Sequence, residues 1–143
     1  MLTVASGLVV TFLYDKLPNL FPNNYIASNI TFLSPDPGDE IALKTELKGK
    51  VVPAVPNKGS YWIIMRDDGG DHYLPAKITP TEHGNWTHSL ELAPNWKGRP
   101  AVVVFLLADK GASEILGTTG SSEKIKLTDD MQVLGFLNLK VEP

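Results

Sequence analysis

The sequence predicts an all-β protein, most specifically an immunoglobulin-like antiparallel β-sandwich of about seven strands. Its apolar runs are short and recur roughly every 8–12 residues, separated by clusters of turn residues. The 11 prolines and 12 glycines among its 143 residues supply those turns. The chain does not alternate strands with long amphipathic helices, as a parallel α/β sheet requires. A small barrel built from the same strands is the alternative.

The stretch from Ser60 to Leu92 defines this fold best. Residues 61–65 (Y-W-I-I-M) form the densest aromatic and β-branched run, which predicts a strand buried on at least one face. Residues 85–92 alternate apolar and polar side chains, the pattern of a strand with one wet face. Trp62 is expected to take the part of the buried tryptophan of immunoglobulin-like cores, although no cysteine pair flanks it. The predicted core consists of Trp62, Ile64, Trp86, Leu90, Val103 and Phe105.

Two more apolar runs extend the sheet towards the C-terminus. Ala101–Ala108 is continuously apolar and short, which predicts a strand in the middle of a sheet. A short helix is predicted near 109–117, with Asp109 as N-cap and Gly117 just beyond its end. Met131–Val141 is predicted as the last strand. One of its sides should carry Val133, Gly135, Leu137, Leu139 and Val141.

The region before the central stretch is less regular. Tyr25–Leu33 is predicted to be the first strand of the sandwich. Glu40–Val52 alternates imperfectly, and a helix over Ile41–Leu47 is an alternative. Gly49 and the pair Val51–Val52 favour a strand there.

Composition restricts the chemistry. The net charge of −3 and the absence of a basic patch give no reason to expect a nucleic-acid partner. The chain has no cysteine, which excludes disulfides, thiolate metal sites and thiol nucleophiles. No phosphate-binding loop and no nucleophile elbow occurs. We therefore expect no cofactor and no enzymatic activity.

Leu2–Tyr14 is an uncharged, mostly apolar run followed by Asp15 and Lys16. It is shorter than the roughly 20 residues that cross a bilayer as a helix. It could be the outer end of a transmembrane helix, an uncleaved export segment, or a buried element of the domain. Because it is apolar on every side, we expect a projecting helix that meets a bilayer or equivalent helices of neighbouring subunits. The predicted division is therefore an anchor or assembly segment, 1–22, followed by a β-sandwich domain, 23–143.

Three aromatic residues are candidates for ligand binding. Tyr61, Tyr73 and Trp96 could form a row of exposed rings that stacks on a sugar, or they could fill the core. The sugar-binding hypothesis requires two or three of these rings to be exposed and coplanar.

Charged and histidine residues cluster in the central stretch. The turn Asp67–Asp71 has carboxylates that could bind Ca²⁺, but it lacks the spacing and the distal glutamate of a calcium loop. His72, His83 and His88 match no metal-binding spacing, so no metal site is predicted. A small hydrolase using His72, His88 and Asp71 is the least favoured function.

Four segments together resemble bacterial accessory domains of unknown function, which often lie beside a membrane-spanning segment. These segments are G-x-Y-W-I-I-M-R, D-H-Y-L-P, I-T-P-T-E-H-G-N-W-T and G-R-P-A-V-V-V-F-L-L-A-D, within Val51 to Ala112. The resemblance consists of packing and turn residues. It implies a β-sandwich module and carries no site residue.

The missing catalytic patterns and the apolar first segment lead to one expectation about function. We expect a non-catalytic interaction module, tethered through residues 1–22 to a membrane or to an assembly by a protein partner or self-association. A carbohydrate-binding module is the alternative. The expected location is membrane-associated, with the cytoplasm as the alternative.

Overall fold

The computed structural model describes residues 28–120 and 122–143, which form two β-sheets and one α-helix. A 3-10 turn at Pro94–Trp96 precedes β7. The elements in chain order are β1 Asn29–Ser34, β2 Glu40–Ile41, β3 Lys44–Val52, β4 Ser60–Arg66, β5 His72–Ile78, β6 Asn85–Glu91, β7 Pro100–Ala108, α1 Lys110–Thr118 and β8 Met131–Val141. The all-β prediction is confirmed at this level.

The two sheets have the strand orders β1-β3-β6 and β2-β8-β7-β4-β5. β7 lies in the middle of the larger sheet, as its continuous apolar sequence predicts. Residues 41–47, for which a helix was the alternative, belong instead to β2, a short connection and β3. Among the strands of the described ranges, every pair is antiparallel except one, because the two-residue β2 runs parallel to the end of β8.

Aromatic side chains fill the space between the two sheets. Trp86 on β6 lies 5.2 Å from Phe105 on β7, measured between ring centroids, and it meets Phe32 on β1 edge to face at 5.8 Å. Tyr61 and Ile63 of β4 point into the same space and are almost completely buried. This inter-sheet cluster is what holds the sandwich together.

A second buried layer lies on the opposite face of the five-stranded sheet, under α1. It contains Trp62 and Ile64 of β4 and Leu116 of the helix. The indole Nε1 of Trp62 donates to the hydroxyl of Ser113, 3.1 Å away. All six predicted core residues are buried, as expected. Trp62 does not take the expected part of the buried tryptophan of an immunoglobulin-like core, because side chains alternate along β4 and Tyr61 takes the position that faces the other sheet.

The helix begins as predicted and ends later. The Asp109 carboxylate accepts a hydrogen bond from the Ala112 amide at 2.9 Å, which confirms it as N-cap. Gly117 is inside the helix, so its predicted position beyond the end is wrong. The hydroxyls of Thr118 and Thr119 both donate to the Ile115 carbonyl, and these bonds satisfy an acceptor that a glycine turn would otherwise have satisfied.

A β-bulge in β8 changes which side chains face inward. Phe105 pairs with Gly135, and Leu106 pairs with Val133, so Leu134 is an extra residue. Gly135 and the later odd-numbered residues face the inter-sheet core, as predicted. Val133 lies on the outer face and is 45% exposed, so its predicted place on the same side is wrong.

The predicted segment 1–22, the boundary after it and the start of the first predicted strand lie outside the described residues. β1 covers the remainder of that predicted strand, from Asn29 onwards. No helix within the described ranges is both long enough and apolar enough to cross a bilayer.

Candidate interaction surface

Tyr61, the first predicted ligand-binding aromatic, is a core residue. Its side chain is 1% exposed. The hydroxyl donates to the Pro53 carbonyl at 2.7 Å and lies 3.2 Å from the Ser28 hydroxyl, and burial raises its pKa. The exposure that a sugar-stacking role requires is therefore absent at this position.

The other two predicted aromatics lie next to each other. Tyr73 on β5 and Trp96 in the 3-10 turn meet edge to face, with ring centroids 6.4 Å apart and planes at 89°. Trp96 is 6% exposed and Tyr73 is half-buried. Rings that stand perpendicular and are mostly covered do not make a flat platform, so the exposed row of three expected for sugar binding does not form.

A polar cleft of about 350 Å³ lies beside this aromatic pair. Arg99 lines this cleft, and its guanidinium lies 5.9 Å from the centre of the Trp96 ring. Arg99 also forms ion pairs with Asp67 at 3.8 Å and with Asp68. Hydrogen bonding between Arg99 and Asp68 lowers the pKa of the aspartate and raises that of the arginine. An incoming anion would have to compete with these two carboxylates, so the cleft is a weak candidate for anion binding.

The Asp67–Asp71 turn, considered above for calcium, is held by protein contacts. One carboxylate oxygen of Asp67 accepts from the amides of Gly69 and Asp71 at 3.0 and 2.9 Å. Lys124 lies 3.3 Å from the Asp71 carboxylate, and hydrogen bonding to it raises the lysine pKa. The carboxylates of Asp67 and Asp71 are therefore already paired with groups of the protein. Within residues 28–120 and 122–143, no group of three or more His, Asp or Glu is arranged to hold a metal ion.

The histidines are distributed over separate elements. His72 is on β5 and His88 is on β6, which belong to different sheets. His83 is in an exposed turn, 3.5 Å from Glu82. Burial lowers the pKa of both His72 and His88. The structure does not bring His72 and His88 together in one site, as the hydrolase hypothesis requires.

An apolar groove of about 330 Å³ lies on the outer face of the five-stranded sheet. α1 covers the end of this face that carries Trp62 and leaves the other end open. Its apolar lining consists of Val102 and Val104 of β7, Val133 and Phe136 of β8, and Leu127, and Asn138 of β8 also lines it. Phe136 is 63% exposed, although it lies within a strand of eleven residues. The polar residues Arg66 and His72 also line the groove.

The backbone of β8 is open beside this groove. β7 pairs with β8 along its whole length, but β2 reaches only residues 140–141. Within the described part of the chain, residues 131–137 pair with no strand on this side. The Asn138 carbonyl points to the open side, because it accepts from the Gly38 amide at 2.7 Å. Val133 and Phe136 share the outer face with Asn138, so their backbone groups point to the open side too.

The sequence contains an indication of this surface that the assumption of regular alternation along β8 overlooks. Val133-Leu134-Gly135-Phe136 does not alternate, and a glycine inside a strand often marks a bulge. A bulge there moves Val133 outward and keeps Phe136 outward, which creates the exposed pair.

No protein family matches this chain, and the curated proteins contain no significant match to it. Its function must therefore be argued from the surface itself.

Proposed function

We propose that the protein is a non-catalytic interaction module, attached through residues 1–22 to a membrane or to a larger assembly. The observation that supports this most directly is at β8, where a backbone edge that is unpaired within residues 28–120 and 122–143 lies beside the exposed side chains of Val133 and Phe136. The apolar segment Leu2–Tyr14 supports the attachment. The polar cleft and the histidines offer no comparable arrangement for catalysis.

Apart from the β-bulge at Leu134, residues 131–137 of β8 lack the features that usually prevent strand-to-strand association. Natural edge strands carry charges or prolines, or are covered by a loop. Residues 131–137 (M-Q-V-L-G-F-L) contain neither a charge nor a proline. An extended segment of another chain can add to such an edge through backbone hydrogen bonds, while its side chains fill neighbouring pockets. Binding by strand addition is the activity that this geometry suits best.

We propose that the fold is an immunoglobulin-like sandwich, and the strand order supports this. The smaller sheet β1-β3-β6 corresponds to strands A, B and E of such domains. In the larger sheet, β8, β7, β4 and β5 correspond to G, F, C and C′, and β2 is a short parallel addition to G. Many cell-surface domains of this architecture are recognition modules, which is support by analogy. The resemblance to bacterial accessory domains agrees with the same proposal.

The test is deletion of residues 1–22. We expect the remaining chain to be folded, soluble and monomeric, with the circular dichroism and melting of the full chain. The full chain should float with phosphatidylglycerol vesicles or show a larger mass in light scattering, and the shortened chain should do neither. If the deletion unfolds the protein, the segment is part of the core and the attachment proposal is wrong.

A further inference from the structure

We propose that residues 2–14 of one copy pair with the open edge of β8 in a neighbouring copy and become a sixth strand of its larger sheet. This inference rests on the proposed function and makes it more specific. The attachment would be to a second copy of the same chain, and the surface that receives the segment would be residues 131–137.

The receiving edge is apolar on both of its faces. Val133 and Phe136 are exposed on the outer face. On the inner face, Leu134 packs against the inter-sheet cluster beside the half-buried Ile30 and Phe32 of β1. An added strand would therefore meet apolar side chains both above and below the sheet. Seven residues of edge correspond to about 23 Å of strand.

The segment 2–14 has the matching composition. It contains no charged residue, and its apolar residues do not alternate with polar ones. An ordinary edge strand with one wet face would alternate, but a strand with apolar neighbours on both faces would not. Val, Thr, Phe and Tyr, which favour strands, make up more than half of the segment. Its 13 residues exceed the length of the open edge.

Charges at the two ends of the edge select against the simplest alternative, direct pairing of β8 with β8 of a second copy. Asp129 and Asp130 precede the edge, and Asp36, Asp39 and Glu40 lie beside its other end, where β2 and the preceding loop meet β8. Antiparallel pairing of two β8 strands would bring the acidic start of one copy to the acidic end of the other, despite Lys140 nearby. An uncharged strand from residues 2–14 avoids this repulsion.

The position of Ser28 makes the exchange feasible. Its hydroxyl lies 3.2 Å from that of Tyr61, and Tyr61 pairs with Leu107, which pairs with Gln132. The chain therefore enters the sandwich at the end where β8 begins. Thirteen residues, 15–27, connect the proposed strand to this point. A connection of this length can span about 45 Å, which is enough to reach a neighbouring copy.

Such an exchange joins two different surfaces, so it can continue from copy to copy in an open chain. The experiment uses full-length variants. Phe136→Asp spoils the receiving edge and keeps the donor segment, and Val9→Asp spoils the donor and keeps the edge. Val55→Asp is the matched control, because Val55 is 80% exposed and belongs to the loop between β3 and β4. Circular dichroism and melting should show that all three variants fold.

Light scattering should show oligomers of the wild type and of Val55→Asp that grow with concentration. Each of the other two variants should be monomeric, with association weakened about tenfold or more. An equimolar mixture of Phe136→Asp and Val9→Asp should form a heterodimer, because one intact donor meets one intact edge. Hydrogen exchange at the Val133 and Phe136 amides should be slower in the wild type and in the mixture than in Val9→Asp alone, whose edge is intact but unfilled.

The inference is wrong if Phe136→Asp associates like the wild type, if the mixture stays monomeric, or if the wild type is monomeric. A monomeric wild type with slow exchange at Val133 would place the segment on its own domain, which also contradicts exchange between copies. The proposed function would survive these results as long as deletion of residues 1–22 leaves a folded chain and abolishes attachment.

Discussion

The substitution Trp62→Ala tests whether the layer under α1 contributes as much to stability as its burial suggests. The Trp62 side chain is 6% exposed and lies between the five-stranded sheet and the helix residues Ala112 and Leu116. Replacing a buried tryptophan by alanine typically costs about 3–5 kcal/mol, because the removed atoms lose their contacts and a cavity remains. The loss of the hydrogen bond from the indole Nε1 to Ser113 adds about 1 kcal/mol at most.

Two features of the structure place the cost near the lower limit of that range. Ser113 also donates to the Ala108 carbonyl at 3.2 Å, so its hydroxyl keeps a partner when the indole is removed. α1 is a single helix of nine residues, and it can move towards the sheet to fill part of the cavity. We therefore expect a loss of about 3–4 kcal/mol in the free energy of unfolding, which corresponds to a decrease in Tm of roughly 10 °C for a domain of this size.

Urea unfolding of the full chain, followed by far-ultraviolet circular dichroism, measures this difference directly. The slope against urea should not change, because the same surface is exposed on unfolding. Trp62→Phe is the control, since it loses the hydrogen bond but keeps most of the ring volume, and it should cost about half as much or less. A folded Trp62→Ala protein with wild-type melting would show that the layer under α1 contributes little to stability.

Three further changes test other parts of the structure. Trp86→Phe should destabilise less than the matching change under the helix in urea unfolding, because the Trp86 Nε1 is buried and has no hydrogen-bond partner within the described residues; an equal or larger loss would contradict this. Burial lowers the pKa of His88, so the unfolded chain binds its proton more readily and stability should fall as the pH decreases from 7 through the ordinary histidine value near 6.5. His88→Gln should reduce that slope in melting curves between pH 7 and 5.5, whereas an unchanged slope, or the same reduction in His83→Gln at the exposed turn, would refute the assignment. Gly84→Ala should cost about 2 kcal/mol or more, because φ is +85° and the added methyl would meet a β3 carbonyl; Gly38→Ala, with φ of +83° and open space, should cost about half of that, and equal costs would show that φ alone decides.

Strands and core residues could be predicted well where one face of an element is polar. β6 alternates clearly, so the burial of Trp86 and Leu90 follows from the sequence alone. β4 shows the limit of this reasoning, because both of its faces are apolar. Alternation shows that Tyr61 and Trp62 face opposite ways, but not which of them faces the other sheet.

The candidate interaction surface was harder to predict, because it depends on contacts between distant parts of the chain. In the sequence, Trp96 is flanked by turn and polar residues, which suggests an exposed loop. The 3-10 turn nevertheless places it against Tyr73. Val133 was expected on the same side as Leu137, yet one extra residue at position 134 changes the phase of β8 and turns Val133 outward beside Phe136. The edge of β8 is open because β2 pairs with it at only two residues. The sequence around Glu40 and Ile41 does not indicate how short this pairing is.

The connection between β1 and β2 has a mechanical consequence. β1 belongs to the smaller sheet and β2 to the larger one, and only residues 35–39 separate them. Because β2 runs parallel to β8, a pull at Ser28 that is resisted at the end of β8 would act along these strands instead of across them. Their hydrogen bonds would then share the load and would not open one after another. A domain held by its N-terminal side would transmit such a force into both sheets at once.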